Sequence, residues 1–373
     1  MNKNNRAGYA SYIFTFFALI FFSALGYGLL LWRTGTSQKE DAIVVYSYSD
    51  MLSNDVMEEF CKRTGINVVV KHFGVAEEII TKLVFSKESS IDIVALPDAV
   101  VETFIKEKLL LPLDKARLPS FHQLDERLLS LHFDPENIYS LPHIWGTLGI
   151  GYNKRIIKKD PSDIEWDLVF GSKTASGYMP PARRYGVDVG RVCLCEDPWE
   201  GIFLTAIHKY GSIQNLDETK QKEIVEHLRE QKKWLECYTN NLKYFLISGI
   251  SNVIVTPSAY LVELQRDHAW AEFVVPQRGG ILLSSNLCIT RNCKKTDAAH
   301  KVIEFLISRE GGMACFDEHS YNPANKTAYA DLPEEVLHHP SFFPNNSLFK
   351  KLCVPHNQLP LKRVEAMWYD IKK

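Results

Sequence analysis

The chain has 373 residues, is 46% hydrophobic, and carries 43 basic against 45 acidic side chains for a formal net charge of -2. That length and apolar content suffice for a large core in two or more domains. The balanced charge, with no basic block and no basic–aromatic interleave, argues against nucleic acid as a partner.

The first element is the run Tyr12 to Trp32, which contains no charged residue. As a helix at about 1.5 Å per residue it reaches roughly 30 Å, enough to cross a bilayer. Lys3 and Arg6 precede it, which favours a cytoplasmic N-terminus and export of everything from about Arg33 onward. A cleaved signal peptide has an apolar part of about 7–15 residues ending at small residues. Here "SALG" (Ser23 to Gly26) lies inside the run with further apolar residues behind it, so an uncleaved signal-anchor is favoured over cleavage. Residues 1–40 are assigned to this anchor or signal peptide and its linker. No cysteine follows the run closely, so no lipoprotein anchor is expected.

Beyond the linker, strands and helices alternate. "IVVYSY" (Ile43 to Tyr48) is a β-branched strand, and "NDVMEEFCKRTG" after Ser53 a helix with Val56, Met57 and Phe60 on one face and Gly65 as its stop. "INVVVKHF", the helix "VAEEIITKLVF", the strand "IDIVAL" (Ile91 to Leu96) and the helix "DAVVETFIKEK" follow. This order predicts an α/β domain with a largely parallel sheet. The stretch from Ile138 to Lys154 is apolar, glycine-bearing and long for one strand, as expected of a segment running between two lobes. Gly149 and Gly151 lack the third glycine and the helix start of a dinucleotide fingerprint.

Further on, helices are predicted from Pro198 to about Tyr210 and from Leu216 to Tyr238. Strands are expected in "NVIVTP", "AEFVVP" and "ILLSSNLCIT", and an amphipathic helix from Thr296 to Ser308 with Ala299, Val302, Ile303 and Leu306 on one stripe. The C-terminal "LPLKRVEAMWYDIKK" reads as a closing helix. Eight cysteines permit disulfides without fixing their pairing, and scattered buried thiols are the simpler expectation. There is no CxxC pair and no Cys/His spacing of the zinc-binding kind.

The stretch "CEDPWEG" (Cys195 to Gly201) concentrates carboxylates beside a tryptophan. Asp197 suits an N-cap, Pro198 a first helical position and Glu200 the third, which is a capping box. Capping leaves both acids at a helix start, where they can also meet a ligand. Acid–base chemistry by this pair has no nucleophile elbow, P-loop or HExxH motif to support it. An organic cation fits better, since carboxylates favour ammonium groups and a ring face adds about 0.5–2 kcal/mol.

The blocks "YSYSDMLSNDVMEEFCKRTGINV" (46 to 68), "IDIVALPDAVVETFIKEKLLLPLD" (91 to 114), "FDPENIYSLPHIWGTLGIGYNK" (133 to 154), "LCEDPWEGIFLTAIHKYG" (194 to 211), "VVPQRGGILLSSNLCI" (274 to 289) and "SYNPANK" (320 to 326) resemble the periplasmic spermidine/putrescine-binding proteins of bacterial ABC importers. The resemblance covers most of residues 42 to 373. It implies a two-lobe, hinged, type II-like periplasmic-binding-protein fold that closes on a polyamine. Lobe 1 would be 41–146 plus 284–329 and lobe 2 147–283 plus 330–373, with crossings near Gly146, Leu283 and Tyr329.

Carried over residue by residue, the resemblance implies ligand-binding roles for Tyr48, Ser49 and Asp50 after the first strand, Asp197 and Glu200 at the second-lobe helix start, and Tyr321 late in the chain. Met51 stands where the family has an aromatic. Leu283 and Ser285 stand where it has Trp and Asp, Val255 where it has another Trp, and Pro355 near a late Gln. Pro97 and Ala99 replace a Ser/Tyr pair, with Asp98 between them as a substitute; Ser285 stays in the candidate set as an acid's replacement. Residues 173 to 190 are extra, and Arg183 and Arg184 have no assigned role.

One absent carboxylate weakens a triamine by about 10- to 150-fold, at about 1.5–3 kcal/mol per charge-assisted bond. A long polyamine is therefore expected to bind more weakly than is usual for the family, or a shorter diamine to be preferred. The resemblance implies an ABC permease as partner, no catalysis, no cofactor, a monomer, and a periplasmic location, tethered if the anchor is retained. Two alternatives stay open: a different small cation or solute in an altered pocket, and a tethered enzyme using Asp197 and Glu200.

Overall fold

The computed structural model describes residues 42–74, 76–85, 91–174, 177–181, 185, 191–356 and 359–373. Among the described residues no helix is long and apolar enough to cross a membrane; the expected anchor, Tyr12 to Trp32, lies outside them, as do Arg183 and Arg184.

Ile43–Ser47 and Ile93–Pro97 become strands buried almost throughout, while Val68–His72 forms the sheet edge with Lys71 and His72 exposed. β1 (Ile43–Ser47) pairs in parallel with β2 (Val68–His72) and β3 (Ile93–Pro97). Between them lie α1 (Asn54–Thr64) and α2 (Ala76–Phe85), and α3 (Asp98–Lys106) follows β3. α1 buries Val56, Met57 and Phe60 and ends at Gly65, whose φ of 70° is the left-handed value that glycine adopts without penalty. The segment read as a lobe crossing is β4 (Leu141–Asn153), 13 residues long and buried but for Asn153.

β5 (Ser172–Thr174) and β6 (Gly177–Met179) form a separate two-stranded sheet in the extra segment. β7 (Arg191–Leu194) leads into α4 (Pro198–Tyr210), whose bounds match the expected ones. α5 (Glu218–Gln231) stops seven residues short of its expected end at Tyr238, since β8 (Leu235–Tyr238) follows it. Trp234 ends the helical periodicity there: its indole N–H donates to the Val169 carbonyl at 3.0 Å, and Leu235 pairs with Val192 of β7. β9 (Ser251–Pro257) runs directly into α6 (Ser258–Gln265), and β10 (Ala271–Val274) and β11 (Ile281–Ile289) follow. α7 (Thr296–Ile307) buries the predicted stripe. α8 (Arg309–His319), which carried no sequence signal, β12 (Asn322–Pro323) and α9 (Leu361–Lys372) complete the larger elements.

The main sheet runs β2-β1-β3-β11-β4-β9-β7-β8, with β10 and β12 also paired to β4. β4 and β11 hold it together by changing partners along their length. β11 lies against β4 over Ile281–Leu287 and against β3 over Ser285–Ile289, with an irregularity between Ser285 and Asn286. β4 continues from β11 to β9 over Leu148–Tyr152. Two hydrophobic clusters draw mainly on residues 43–145 and 282–324; two more draw mainly on residues 148–281 and 332–371. Gly149 and Gly151 lie within β4, where a Cβ on Gly149 would stand 2.6 Å from the Val274 carbonyl oxygen, so they serve packing.

Candidate functional site

β1 ends in a turn closed by the Met51 amide on the Tyr48 carbonyl (3.2 Å), which sets Asp50 beyond the strand end, half-buried. Two phenols converge on its carboxylate. The Tyr260 hydroxyl donates to Oδ2 at 3.0 Å, and the Tyr321 hydroxyl lies 3.5 Å from the same oxygen. Tyr260 is the third residue of α6, which β9 aims at the crossing strands; Tyr321 is buried just before β12. Gly146 of β4 makes room for the Tyr321 ring and for the start of α6: a Cβ there would meet the Ser258 hydroxyl at 2.8 Å and the Tyr321 ring at 3.2 Å.

Glu200, on α4, adds a smaller electrostatic influence on the same two phenols. Burial raises the Tyr260 phenol's pKa, with further upward pushes from Asp50, Cys195 and Glu200. Burial raises that of Tyr321 as well, with contributions from Asp50, Tyr260 and Glu200. Asp50 and Glu200 thus act electrostatically on one pair of rings. The Glu200 carboxyl is pushed up to about 8, chiefly by burial, then by the neighbouring Asp197 charge, against a smaller downward pull from the Cys195 thiol. Its Oε2 is buried without a hydrogen-bond partner.

The expected capping box is half realised. Asp197 caps α4 by accepting from the Trp199 amide at 2.7 Å, while Glu200 turns inward instead of reaching back. Asp197 is exposed, and although surrounding protein pushes its carboxyl upward, water screens that effect. Trp199 packs on Phe203, ring centres 5.2 Å apart.

The other expected residues divide. Tyr48 packs its ring against Phe73 at 4.5 Å, and Ser49 is exposed. Asp98 opens α3, buried, and accepts at Oδ1 from the Ser284 hydroxyl and from Asn286 Nδ2 at 2.8 Å, while Oδ2 has no partner. Burial lifts its carboxyl to about 7. Its hydrogen bonds tie α3 to β11 and do not reach Asp50, Asp197 or Glu200. Ser285 is buried with its hydroxyl unpartnered, and its carbonyl accepts from His143 Nδ1 at 2.9 Å. Of the positions where aromatics were expected, Val255 belongs to the hydrophobic core and Leu283, partly buried, packs against it.

A cavity of about 260 Å³ opens beside Asp50 and Tyr260 and is also lined by Lys243, Glu263, Glu318 and His319. Asp197 and Glu200 are not in its wall. Tyr260 and these cavity residues were not read from sequence. Only the tyrosine directly after the strand end "VTPSAY" offered a signal, and its partner Asp50 lies 210 positions away. Among the described residues no group of three or more His, Cys, Asp or Glu side chains is placed to hold a metal ion. All eight cysteines are free thiols, with Cys193 and Cys237 closest at 3.8 Å between sulfurs.

Comparison with known proteins agrees with this architecture. The family model of bacterial extracellular solute-binding proteins matches residues 55–344. The spermidine/putrescine-binding periplasmic protein of Salmonella typhimurium is 28% identical over 319 residues, covering 83% of this chain and 85% of that protein. The putrescine-binding periplasmic protein SpuD of Pseudomonas aeruginosa is 27% identical over 357 residues, covering 91% and 94%. The crystal structure of the spermidine/putrescine ABC transporter substrate-binding protein PotD from Streptococcus pneumoniae matches with a TM-score of 0.76 at 23% identity, over 89% of this chain and 98% of that one. That likeness shows the α/β solute-binding-protein fold, and none of these relatives is described as an enzyme.

Proposed function

The chain belongs to the bacterial extracellular solute-binding proteins, and from that premise we propose that it captures a polyamine, or a closely related small organic cation, between two hinged halves and delivers it to an ABC permease of the inner membrane. The observation that carries this reading is the convergence of two phenols, Tyr260 and Tyr321, on the Asp50 carboxylate, with Glu200 near enough to add a smaller electrostatic push on both. Carboxylates supply charge-assisted acceptors worth about 1.5–3 kcal/mol each. Phenol faces add about 0.5–2 kcal/mol to a cation that is drawn out of water. The family and its relatives are binding proteins and not enzymes, so the acid–base alternative for Asp197 and Glu200 is set aside.

The partner exchange along β4 and β11 supports hinge crossings near Gly146 and Leu283, with halves 41–146 plus 284–329 and 147–283 plus 330–373. Opening about such crossings would part Asp50 from Tyr260, which are in contact here, and closure would present a shut form to the permease. Asp50, Asp197, Glu200 and Tyr321 form the binding set with Tyr260; Tyr48 borders it, and Ser49, Asp98 and Ser285 support the strand ends. The names of the relatives support a periplasmic location, and the protein acts there as a monomer, tethered where the N-terminal run is retained.

The test is calorimetry and thermal shift on residues 42–373 with putrescine, spermidine, spermine and unrelated neutral or anionic solutes. A polyamine at about 100 times its Kd should stabilise the fold by roughly 2.7 kcal/mol. Stabilisation by an anion alone, or by none of the amines, overturns the reading.

A further inference from the structure

Lys243 occupies an unusual place for a lysine in a site built for cations. It belongs to a short helix, Leu242–Ile247, whose Leu242 and Leu246 are buried and fix its position. The loop before that helix is tied to the acid-bearing loop after β7, since the Cys195 thiol donates to Asn240 Oδ1 at 3.3 Å. The Lys243 ammonium stands 4.9 Å from the centre of the Tyr260 ring and 2.6 Å from Glu263 Oε2. The ring it covers is the one whose hydroxyl donates to Asp50. Lys243 and Asp50 line the same cavity.

We infer that Lys243 is a built-in ammonium that takes the position a third ammonium of a long polyamine would reach, so that the site selects a diamine over a triamine. The inference rests on the polyamine reading above and adds the residue that sets ligand length. Three carboxylates (Asp50, Glu263 and Glu318) face the cavity, and Lys243 is the lysine among its lining residues. His319, also in the wall, has its pKa lowered chiefly by burial, which favours its neutral form. A third ammonium near Lys243 would compete with it for Glu263 and for the Tyr260 face. Like charges about 5 Å apart at an effective dielectric of about 20 repel strongly enough for a 10- to 100-fold loss once Glu263 is counted.

The experiment is calorimetric titration of putrescine and of spermidine into the wild-type chain, Lys243→Met and Lys243→Arg, with thermal melts confirming that each is folded. Wild type is expected to bind putrescine more tightly than spermidine. Lys243→Met keeps the apolar stem and removes the charge; it should bind spermidine 10- to 100-fold more tightly and leave putrescine within about threefold. Lys243→Arg should keep the wild-type ratio. An unchanged ratio in Lys243→Met overturns the inference, as does a wild type that prefers spermidine; both leave polyamine capture standing. A wild type that binds neither amine removes the functional reading and this inference together.

Discussion

Replacing Glu200 with Gln tests the proposed chemistry at its most sensitive point. Burial and the Asp197 charge lift the Glu200 carboxyl from 4.5 to about 8 in the ligand-free protein. At pH 7 it therefore carries a proton about nine times in ten. An alkyl ammonium, with a pKa near 10, stays charged throughout this range and on binding draws the carboxyl into its ionised form, expelling the proton. Because the ligand-free form holds the proton and the bound form does not, affinity rises with pH up to about 8 and levels off above it. Between pH 6 and pH 8 the gain is about 50-fold for full ionisation in the complex. Calorimetry at pH 7 in two buffers of different ionisation enthalpy should show release of about 0.9 proton per ligand. Glu200→Gln should abolish the release, flatten the pH profile and weaken binding by about 10- to 150-fold through loss of one charge-assisted bond. Binding that is flat from pH 6 to pH 8, with no buffer dependence, would refute the claim that Glu200 meets the ligand's charge.

Gly146→Ala is expected to cost about 1–3 kcal/mol in urea unfolding, because the new methyl meets Ser258, itself held by accepting from the Thr147 amide at 3.1 Å, and the buried Tyr321. Asp98→Ala should cost about 1–3 kcal/mol by stranding the Ser284 and Asn286 donors, and Asp98→Asn distinctly less. Since the Asp98 pKa is raised from 3.8 to about 7, its contribution to stability declines as pH rises through that window, and melts of Asp98→Asn should show a flatter profile. Tyr260→Ala, measured by calorimetry, should weaken putrescine binding by about tenfold or more through loss of ring and hydroxyl together; Tyr260→Phe should lose less.

The alternation of strands and helices was legible because β-branched runs and helical stripes report burial directly. The α4 bounds were legible because Asp197–Pro198 starts it and Gly211, at φ 68°, stops it. α8 was hidden by Gly311 and Gly312, poor helix formers that tight packing requires. A Cβ on Gly311 would press into the Phe305 carbonyl, and one on Gly312 would stand 2.8 Å from Pro323 Cβ. Of the proposed site, Asp50 and Tyr321 were expected from the family resemblance and Glu200 from that and from its place in the capping pattern. Tyr260 and Lys243 were not, since each acquires meaning only when β9 and β8 deliver it opposite residues far away in the chain. Leu283 and Val255 show the converse: positions where a family resemblance expects ligand-facing rings have been absorbed into apolar packing.

The late arrival of β11 constrains how the molecule is made. β3 and β4 both wait for a strand that is translated more than 120 residues after β4 ends. Until it docks, each presents an unpaired edge of backbone donors and acceptors. A chain ending before Ile281 lacks the strand that pairs with both β3 and β4, so a truncation there should expose those edges and self-associate. Factors that shield open sheet edges should therefore raise this protein's yield.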